Sequence, residues 1–273
     1  MKCGVISDLH IDGNRNTVPE ESSFVEILAA KMEKEALDVL LLAGDVSNDY
    51  REGINFLEEL QNRSSAKVLF VPGNHDYWSK ENNVTDTWKI YRAFQKWEGC
   101  ISEKPYLLNK DWVVIGNSGW YDHSFGSPDF SEAEFKKMNY MDRTWQDSIY
   151  TNWGRENAAV HRYFYEKIEA ELREYAGKNI IMMTHMLTHP YFTVPMPNEL
   201  WAYFNAFLGS KEYSNLFEKY PICYSIMGHV HYRKYYRTDN TAMICACLGN
   251  HNEWRTKDLA KEIDDAMFCF SID

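Results

Sequence analysis

Five short apolar runs in this chain end in residues that can bind a metal ion or move a proton. Cys3 to Ser7 leads into Asp8-Leu9-His10. Residues two apart can point the same way in an extended loop, so one carboxylate and one imidazole can reach one ion. Val39 to Ala43 leads into Gly44-Asp45, where glycine permits a close turn and the carboxylate offers two oxygens, enough to bridge two ions. Val68 to Val71 leads through Pro72 into Gly73-Asn74-His75-Asp76, which supplies an amide oxygen, an imidazole and a carboxylate. His75 is a candidate acid, because an unperturbed imidazole titrates near neutral pH. Ile180 to Met183 leads to Thr184-His185, and Cys223 to Met227 leads to Gly228-His229-Val230-His231. Each piece alone also reads as a turn or a helix cap; the ordered set of five does not. Asp8, His10, Asp45, Asn74, His185, His229 and His231 together can serve two ions, with water completing each shell. Nitrogen and oxygen donors without a thiolate suit Mn, Fe, Zn, Co or Ni better than Mg or Ca.

Continuous Val-, Ile- and Leu-rich runs of this length suit strands buried on both faces. Helical patterns fall between several of them. Phe24, Ile27, Leu28 and Leu37 recur near helical spacing, with Ser22 and Ser23 as candidate caps, and Ile54, Leu57 and Leu60 mark a second helix. Alternating strands and helices predict βαβ units and a largely parallel sheet, whose ligands bind beyond the carboxyl ends of the strands. All five motifs then project into one crevice. Residues 77–177 are aromatic, charged and mostly helical in pattern, with one strand at Trp112 to Ile115. They read as partly extra layers and partly a cap. Ala242 to Leu248 and Met267 to Ile272 read as further strands of a second sheet.

The chain has 273 residues, is 45% hydrophobic and 15% aromatic, and carries a formal charge of −11. The length allows one large α/β domain. The charge argues against a broad nucleic-acid surface, although bound cations would reverse the sign locally. No run approaches the length of a membrane span and no signal peptide is apparent. The six cysteines form no C-x-x-C pair and read as free thiols in a reducing compartment, so the expected location is cytoplasmic.

The ordered motifs, spanning residues 8 to 231, resemble the full signature of the calcineurin-like metallophosphoesterase superfamily. The resemblance implies an α/β four-layer sandwich, with two mixed β-sheets flanked by helices and the aromatic-rich helical stretch as a cap insertion in a single domain over 1–273. It implies that Asp8, His10 and His231 bind one transition-metal ion, that Asn74, His185 and His229 bind another, and that Asp45 bridges them. His75 would protonate the leaving group, with Asp76 orienting it. The expected reaction is hydrolysis of a phosphodiester or phosphomonoester by a metal-bridging hydroxide. The expected substrate is small and phosphorylated, nucleotides among the candidates; oligomeric state is not readable. The alternatives are a silent scaffold on the same fold, which the full ligand set disfavours, a nuclease, which the charge disfavours, and a protein phosphatase, which a covered site disfavours.

Other candidates carry less. Gly249-Asn250-His251-Asn252 echoes the third motif after the ligand set is complete and reads as a loop near the site. His189 could line the crevice; His123 and His161 read as structural. Asp12 and Asn14 have possible but unsupported substrate roles, and the loop Asn117 to His123 reads as ordinary packing in slight preference to a leaving-group contact. The aromatics between Tyr191 and Phe207 read as packing in preference to a lipid or base pocket.

Overall fold

In the computed structural model, which describes residues 1–78 and 86–273, the apolar runs form the centres of two sheets packed face to face. In chain order the first half contains β1 (Lys2–Ile6), α1 (Phe24–Lys34), β2 (Val39–Leu42), α2 (Tyr50–Arg63), β3 (Lys67–Phe70), α3 (Thr87–Phe94), β4 (Tyr106–Leu107) and β5 (Trp112–Gly116). Then come α4 (Glu132–Phe135), a short hairpin of β6 (Asn139–Tyr140) and β7 (Arg143–Thr144), α5 (Asp147–Tyr150) and α6 (Asn157–Glu174). The remainder holds β8 (Asn179–Met183), α7 (Glu199–Phe204), α8 (Leu216–Lys219), β9 (Ile222–Met227), β10 (Arg233–Arg237), β11 (Ala242–Ala246), α9 (Leu259–Ala266) and β12 (Phe268–Ser271).

The first sheet has the order β12-β1-β2-β3 and the second β10-β11-β9-β8-β5-β4. Their cores are parallel; β12, β10 and β4 are the antiparallel edges. Side chains that alternate along the strands fill two different spaces. Val5, Leu41 and Leu69 meet Ile181, Ile226 and Ile244 between the sheets. Ile6, Leu42 and Phe70, one residue on, face α1, α2 and α9. On the second sheet Ile115, Ile180 and Met182 face α6 through Ile168 and Leu172. The result is helix, sheet, sheet, helix, the four layers expected. Ser23 closes α1 with a reciprocal capping box to Glu26.

One sequence expectation changes. β12 does not join the second sheet: it pairs antiparallel with β1, Cys3 opposite Phe270. Within residues 77–177, the expected strand is β5 of the second sheet, and α6 supplies a layer over that sheet's outer face. Residues 79–85 of that stretch lie outside the described residues. No disulfide joins the described cysteines, and no described helix is long and apolar enough to cross a membrane.

Register places the motifs. Ile6 pairs with Leu42, so the loops that follow run side by side: the Asp8 N–H donates to the Gly44 carbonyl (2.9 Å) and the His10 N–H to that of Asp45 (3.1 Å). Met183 pairs with Ile226, and the Gly228 N–H then donates to the His185 carbonyl (3.0 Å). The two sheets are tied at this edge, where Ser7 and Cys247 form a parallel bridge. All five strand ends therefore open into one crevice.

Candidate metal centre

The loops that present the predicted ligands are bent into unusual backbone. Asp8, His10, Asp45, His229 and His231 all have positive φ, between 42° and 74°. That region is costly for residues with a Cβ, and such residues concentrate at functional sites. Glycine makes the close packing possible. A Cβ on Gly73 would come within 2.1 Å of Asp45 Oδ1, and one on Gly44, at φ 89°, within 2.6 Å of His185 Nδ1.

The hydrogen bonds fix which atom each side chain offers. His185 Nδ1 is 2.8 Å from the Ala43 carbonyl and can only donate to it. His229 Nε2 likewise donates to the Phe207 carbonyl (3.2 Å). The Asn74 amide nitrogen donates to Asp147 Oδ1 (2.9 Å), so its oxygen faces the crevice. His185 Nε2, His229 Nδ1 and Asn74 Oδ1 then converge, at 2.9 to 3.2 Å from one another. Asp45 Oδ2 lies 3.2 Å from His185 Nε2. At most one proton, on His185, can enter this group of acceptors, and one proton cannot satisfy all of them; a cation can. Asp45 Oδ2 is buried with no hydrogen-bond partner among the described residues, while Oδ1 accepts the His75 N–H (2.8 Å). An orphaned buried carboxylate oxygen is rare and needs a counter-charge.

A second group faces it across Asp45. His10 Nε2 is 3.1 Å from His231 Nε2 and 3.9 Å from Asp45 Oδ2. Asp8 Oδ1 is 3.6 Å from His231 Nε2. Ligand atoms of Asp8, His10 and His231 lie within 4.8 Å of one another, as do those of Asp45, His185 and His229. His231 is set by Glu253, whose carboxylate accepts from Nδ1 at 2.6 Å and turns Nε2 inward. This is the carboxylate–histidine arrangement that orients ligating imidazoles.

Electrostatics follow from this packing. Burial raises the Asp45 carboxyl, but His185, His75 and His10 outweigh it and hold the group well below the usual range. Burial opposes protonation of His185, yet the adjacent Asp45 carboxylate drives it up to about 10. Burial, helped by His185, pushes His229 down to about 3. Burial also lowers His10 and His75, against the pull of Asp45. Burial opposes protonation of His231 too, but Glu253 and Asp8 raise it. The chain thus draws positive charge towards Asp45 and Asp8 while keeping His10 and His229 neutral, the form that ligates.

His75 is half-buried at the crevice floor, its ring 4.7 Å from that of His10 and 3.6 Å from that of Trp78. Its Nδ1 pairs with Asn48 Oδ1 (2.8 Å), and the Asn48 amide nitrogen donates to Asp12 (2.6 Å). The expectation that Asp76 orients His75 is therefore corrected. Asp76 turns the other way and accepts the backbone N–H groups of Asp45, Val46, Ser47 and Gly73, at 2.8 to 3.3 Å. Its part is to clamp the bridging loop; burial and the Asp45 charge nevertheless push its carboxyl up to about 7.

The other candidates separate. Asn14 ties Leu9 to the 249–252 loop through its amide and accepts the His251 N–H. His189 lines a different cavity, beside Asp239 and Met243. His161 and His123, themselves buried, make partly buried contacts with Glu212 and Glu132. The loop Asn117 to His123 supports the site from behind: the Ser118 carbonyl accepts the His185 N–H, and Tyr121 reaches Asp147. Asn48, Asp147 and Glu253 carry positioning roles that sequence reading did not assign.

A family model described as calcineurin-like phosphoesterase matches residues 1–233. The chain belongs to that family. The calcineurin-like fold is also what solved structures share with it. A phosphopantetheinyl hydrolase from Mycobacterium tuberculosis superposes with a TM-score of 0.75 at 19% identity, covering 93% of this chain and 91% of that one. A dimetal phosphatase from Danio rerio superposes at 0.53 and 12% identity, covering 90% and 86%. At such identities the likeness is one of fold. Among curated proteins, no sequence matches. A metal-dependent phosphoesterase is the activity that the family and the ligand groups support.

Proposed function

We propose that this chain is a single-domain binuclear-metal phosphoesterase. Asp8, His10 and His231 would hold one cation; Asn74, His185 and His229 would hold the other. Asp45 Oδ2 would lie between them. The observation that carries the reading is that oxygen, buried without a hydrogen-bond partner between two histidine clusters. Mixed nitrogen and oxygen donors favour Mn, Fe or Zn. Two such ions, when bound, activate water at neutral pH and neutralise charge on the phosphoryl oxygens.

The chain's own residues do the rest. His75, holding its Nδ1 proton towards Asn48, presents Nε2 to the crevice. A phosphoester anion beside it acts against the lowering caused by burial, so Nε2 can take a proton and deliver it to the leaving oxygen. Asp76 keeps the Asp45 loop in place through four backbone N–H groups. Thr144, Trp145 and Gln146 line the cleft together with His75. The free cysteines support a cytoplasmic location.

The test is hydrolysis of bis(4-nitrophenyl) phosphate and 4-nitrophenyl phosphate by metal-stripped protein, with and without Mn²⁺, for the wild type and Asp45→Asn. A phosphopantetheinyl ester joins the panel because of the hydrolase named above. Metal-dependent turnover that the substitution abolishes supports the reading, and the diester-to-monoester ratio selects the class. Two bound ions without turnover of any ester would favour the scaffold alternative.

A further inference from the structure

One cleft, of about 520 Å³, opens directly over the candidate centre: Asn74, His75, His229 and His231 form one side of it. A group attached to a phosphoryl bound by those residues would have this cleft to occupy, on the side of His75. The volume lies within the range of sites that hold organic ligands of drug size, and a phosphate alone would leave most of it empty.

Much of the rest of the lining is apolar. Trp78, Trp145, Trp201, Tyr232, Val194 and Leu208 supply it beside the polar Thr144 and Gln146, and no lysine or arginine is among the described lining residues. Two of the indoles turn their polar edges into the protein. Trp78 Nε1 donates to Asp147 Oδ1 (2.7 Å) and Trp145 Nε1 to Asp147 Oδ2 (2.9 Å), which leaves hydrocarbon towards the cleft. Trp145 is further held by stacking on Phe207, with ring centres 5.5 Å apart. Walls fixed in advance lose little freedom when a ligand binds. The one carboxylate in the lining, Glu253, is committed to His231.

Positive charge lies to one side. Lys234 and Arg255, with Arg233 paired to Glu262 (2.6 Å), line an adjoining cavity of about 280 Å³, which shares His231, Tyr232 and Glu253 with the cleft but excludes His75. A leaving group rich in phosphate would therefore enter the wrong side for its charge.

We propose that the leaving group of this enzyme is an uncharged, largely apolar alcohol or phenol seated against Trp145 and Trp201, and that any further negative charge on the substrate lies away from His75. The proposal rests on the phosphoesterase reading and deepens it. It excludes nucleoside di- and triphosphates as leaving-group donors.

The experiment compares 2-naphthyl phosphate, phenyl phosphate and ATP with the Mn²⁺-loaded full chain. The two phenols have similar acidity, so their difference reports contact with the cleft. Burial of the second ring should raise kcat/KM about tenfold, through KM, and ATP should be the poorest of the three. Trp201→Ala should reduce the naphthyl-to-phenyl ratio several-fold, about what loss of one apolar wall implies. A ratio near one, an unchanged ratio in the variant with its fold intact by circular dichroism, or a preference for ATP would overturn the proposal while leaving the phosphoesterase reading standing. If no ester turns over, calorimetric binding of 2-naphthylmethylphosphonate against methylphosphonate decides. Tighter binding of the naphthyl compound supports the apolar cleft even as the catalytic reading falls, and equal binding overturns it.

Discussion

Asp147 is the residue whose replacement tests the architecture of the site most directly. It is buried and accepts four hydrogen bonds: from the Asn74 amide (2.9 Å), the Trp78 and Trp145 indoles (2.7 and 2.9 Å) and the Tyr121 hydroxyl (3.2 Å). Burial raises its carboxyl above the ordinary range, and those donors oppose the rise. Asp147→Asn can keep its oxygen towards Asn74 and Trp78, while its amide nitrogen meets a Tyr121 hydroxyl free to rotate and accept. One indole N–H, that of Trp145, loses its acceptor, at about 1–3 kcal/mol, and relief of the buried charge offsets part of this. The expected loss is therefore about 1–2 kcal/mol in urea unfolding. Asp147→Ala leaves all four donors bare and frees the Asn74 amide to turn. It should cost more than the Asn variant and weaken the proposed Asn74–His185–His229 cation by about 10–100-fold, as loss of a ligand-orienting partner does. Calorimetric titration of Mn²⁺ into metal-stripped protein reads this as a loss at one of two sites, with the Asp8–His10–His231 site retained. Asp147→Asn should restore most of that affinity, because it can still hold Asn74. If Asp147→Ala binds two ions as the wild type does, Asn74 is not positioned by Asp147 and the reasoning fails.

Three further outcomes are expected. His75→Ala should lower kcat by about 10²–10⁴ on a phenyl ester and less on a 4-nitrophenyl ester, whose leaving group needs no proton; equal losses on both would remove His75 as the acid. Glu253→Gln should weaken the cation held by His231 about tenfold, read by the same calorimetry, and unchanged affinity would make Glu253 a bystander. Glu171 on α6 is pushed by burial up to about 8, and its Oε2 has no partner among the described residues. The folded state keeps this proton where the unfolded chain releases it near 4.5, so stability is full below that pH and falls as pH rises towards 8. Across that window the wild-type Tm should fall relative to that of Glu171→Gln; a difference between the two that does not change with pH would refute this.

Much of this site is legible in the sequence because its donors sit where local pattern marks them. A buried parallel strand reads as an unbroken apolar run, and its end is where the backbone can turn and a polar side chain can enter a crevice. The residues that aim those donors are not marked in that way. Asp147 reaches Asn74 across 73 positions and Asn48 reaches His75 across 27, and only packing brings them together. Glu253 lay closer to view, directly behind the Gly249-Asn250-His251-Asn252 loop, but nothing local says that it faces His231. Asp76 shows the opposite limit. Adjacent to His75 in sequence, it belongs to a short turn, His75–Tyr77, that sends the two side chains apart, one to the crevice and the other to the Asp45 loop. Composition does not separate layer from cleft wall at residues 77–177 for a related reason: aromatic residues wall the cleft and also fill the core, and both uses look alike along the chain. Trp145 does both, with one face on Phe207 and another on the cleft.

The same loops carry the strain and the proposed chemistry, and the two are connected. Five of the seven candidate ligands occupy positive φ, at an expected cost of about 1–3 kcal/mol each, and the Asp45 carboxylate is buried beside them. Hydrogen bonds among the loops offset part of those costs: the His75 N–H donates to Asp45 Oδ1, the His229 N–H to Asp8 Oδ1, and Asp76 clamps the Asp45 turn. The frame adds the rest, where two sheets anchor the loops at Ile6–Leu42 and Met183–Ile226 and the Ser7–Cys247 bridge joins the sheets. A scaffold that over-determines five loop conformations can hold acceptor atoms 3 Å apart without an internal partner for each. Such crowding is unfavourable for a bare chain and favourable once positive charge enters. The arrangement that sacrifices local stability is thus the one that would give cation binding its driving force.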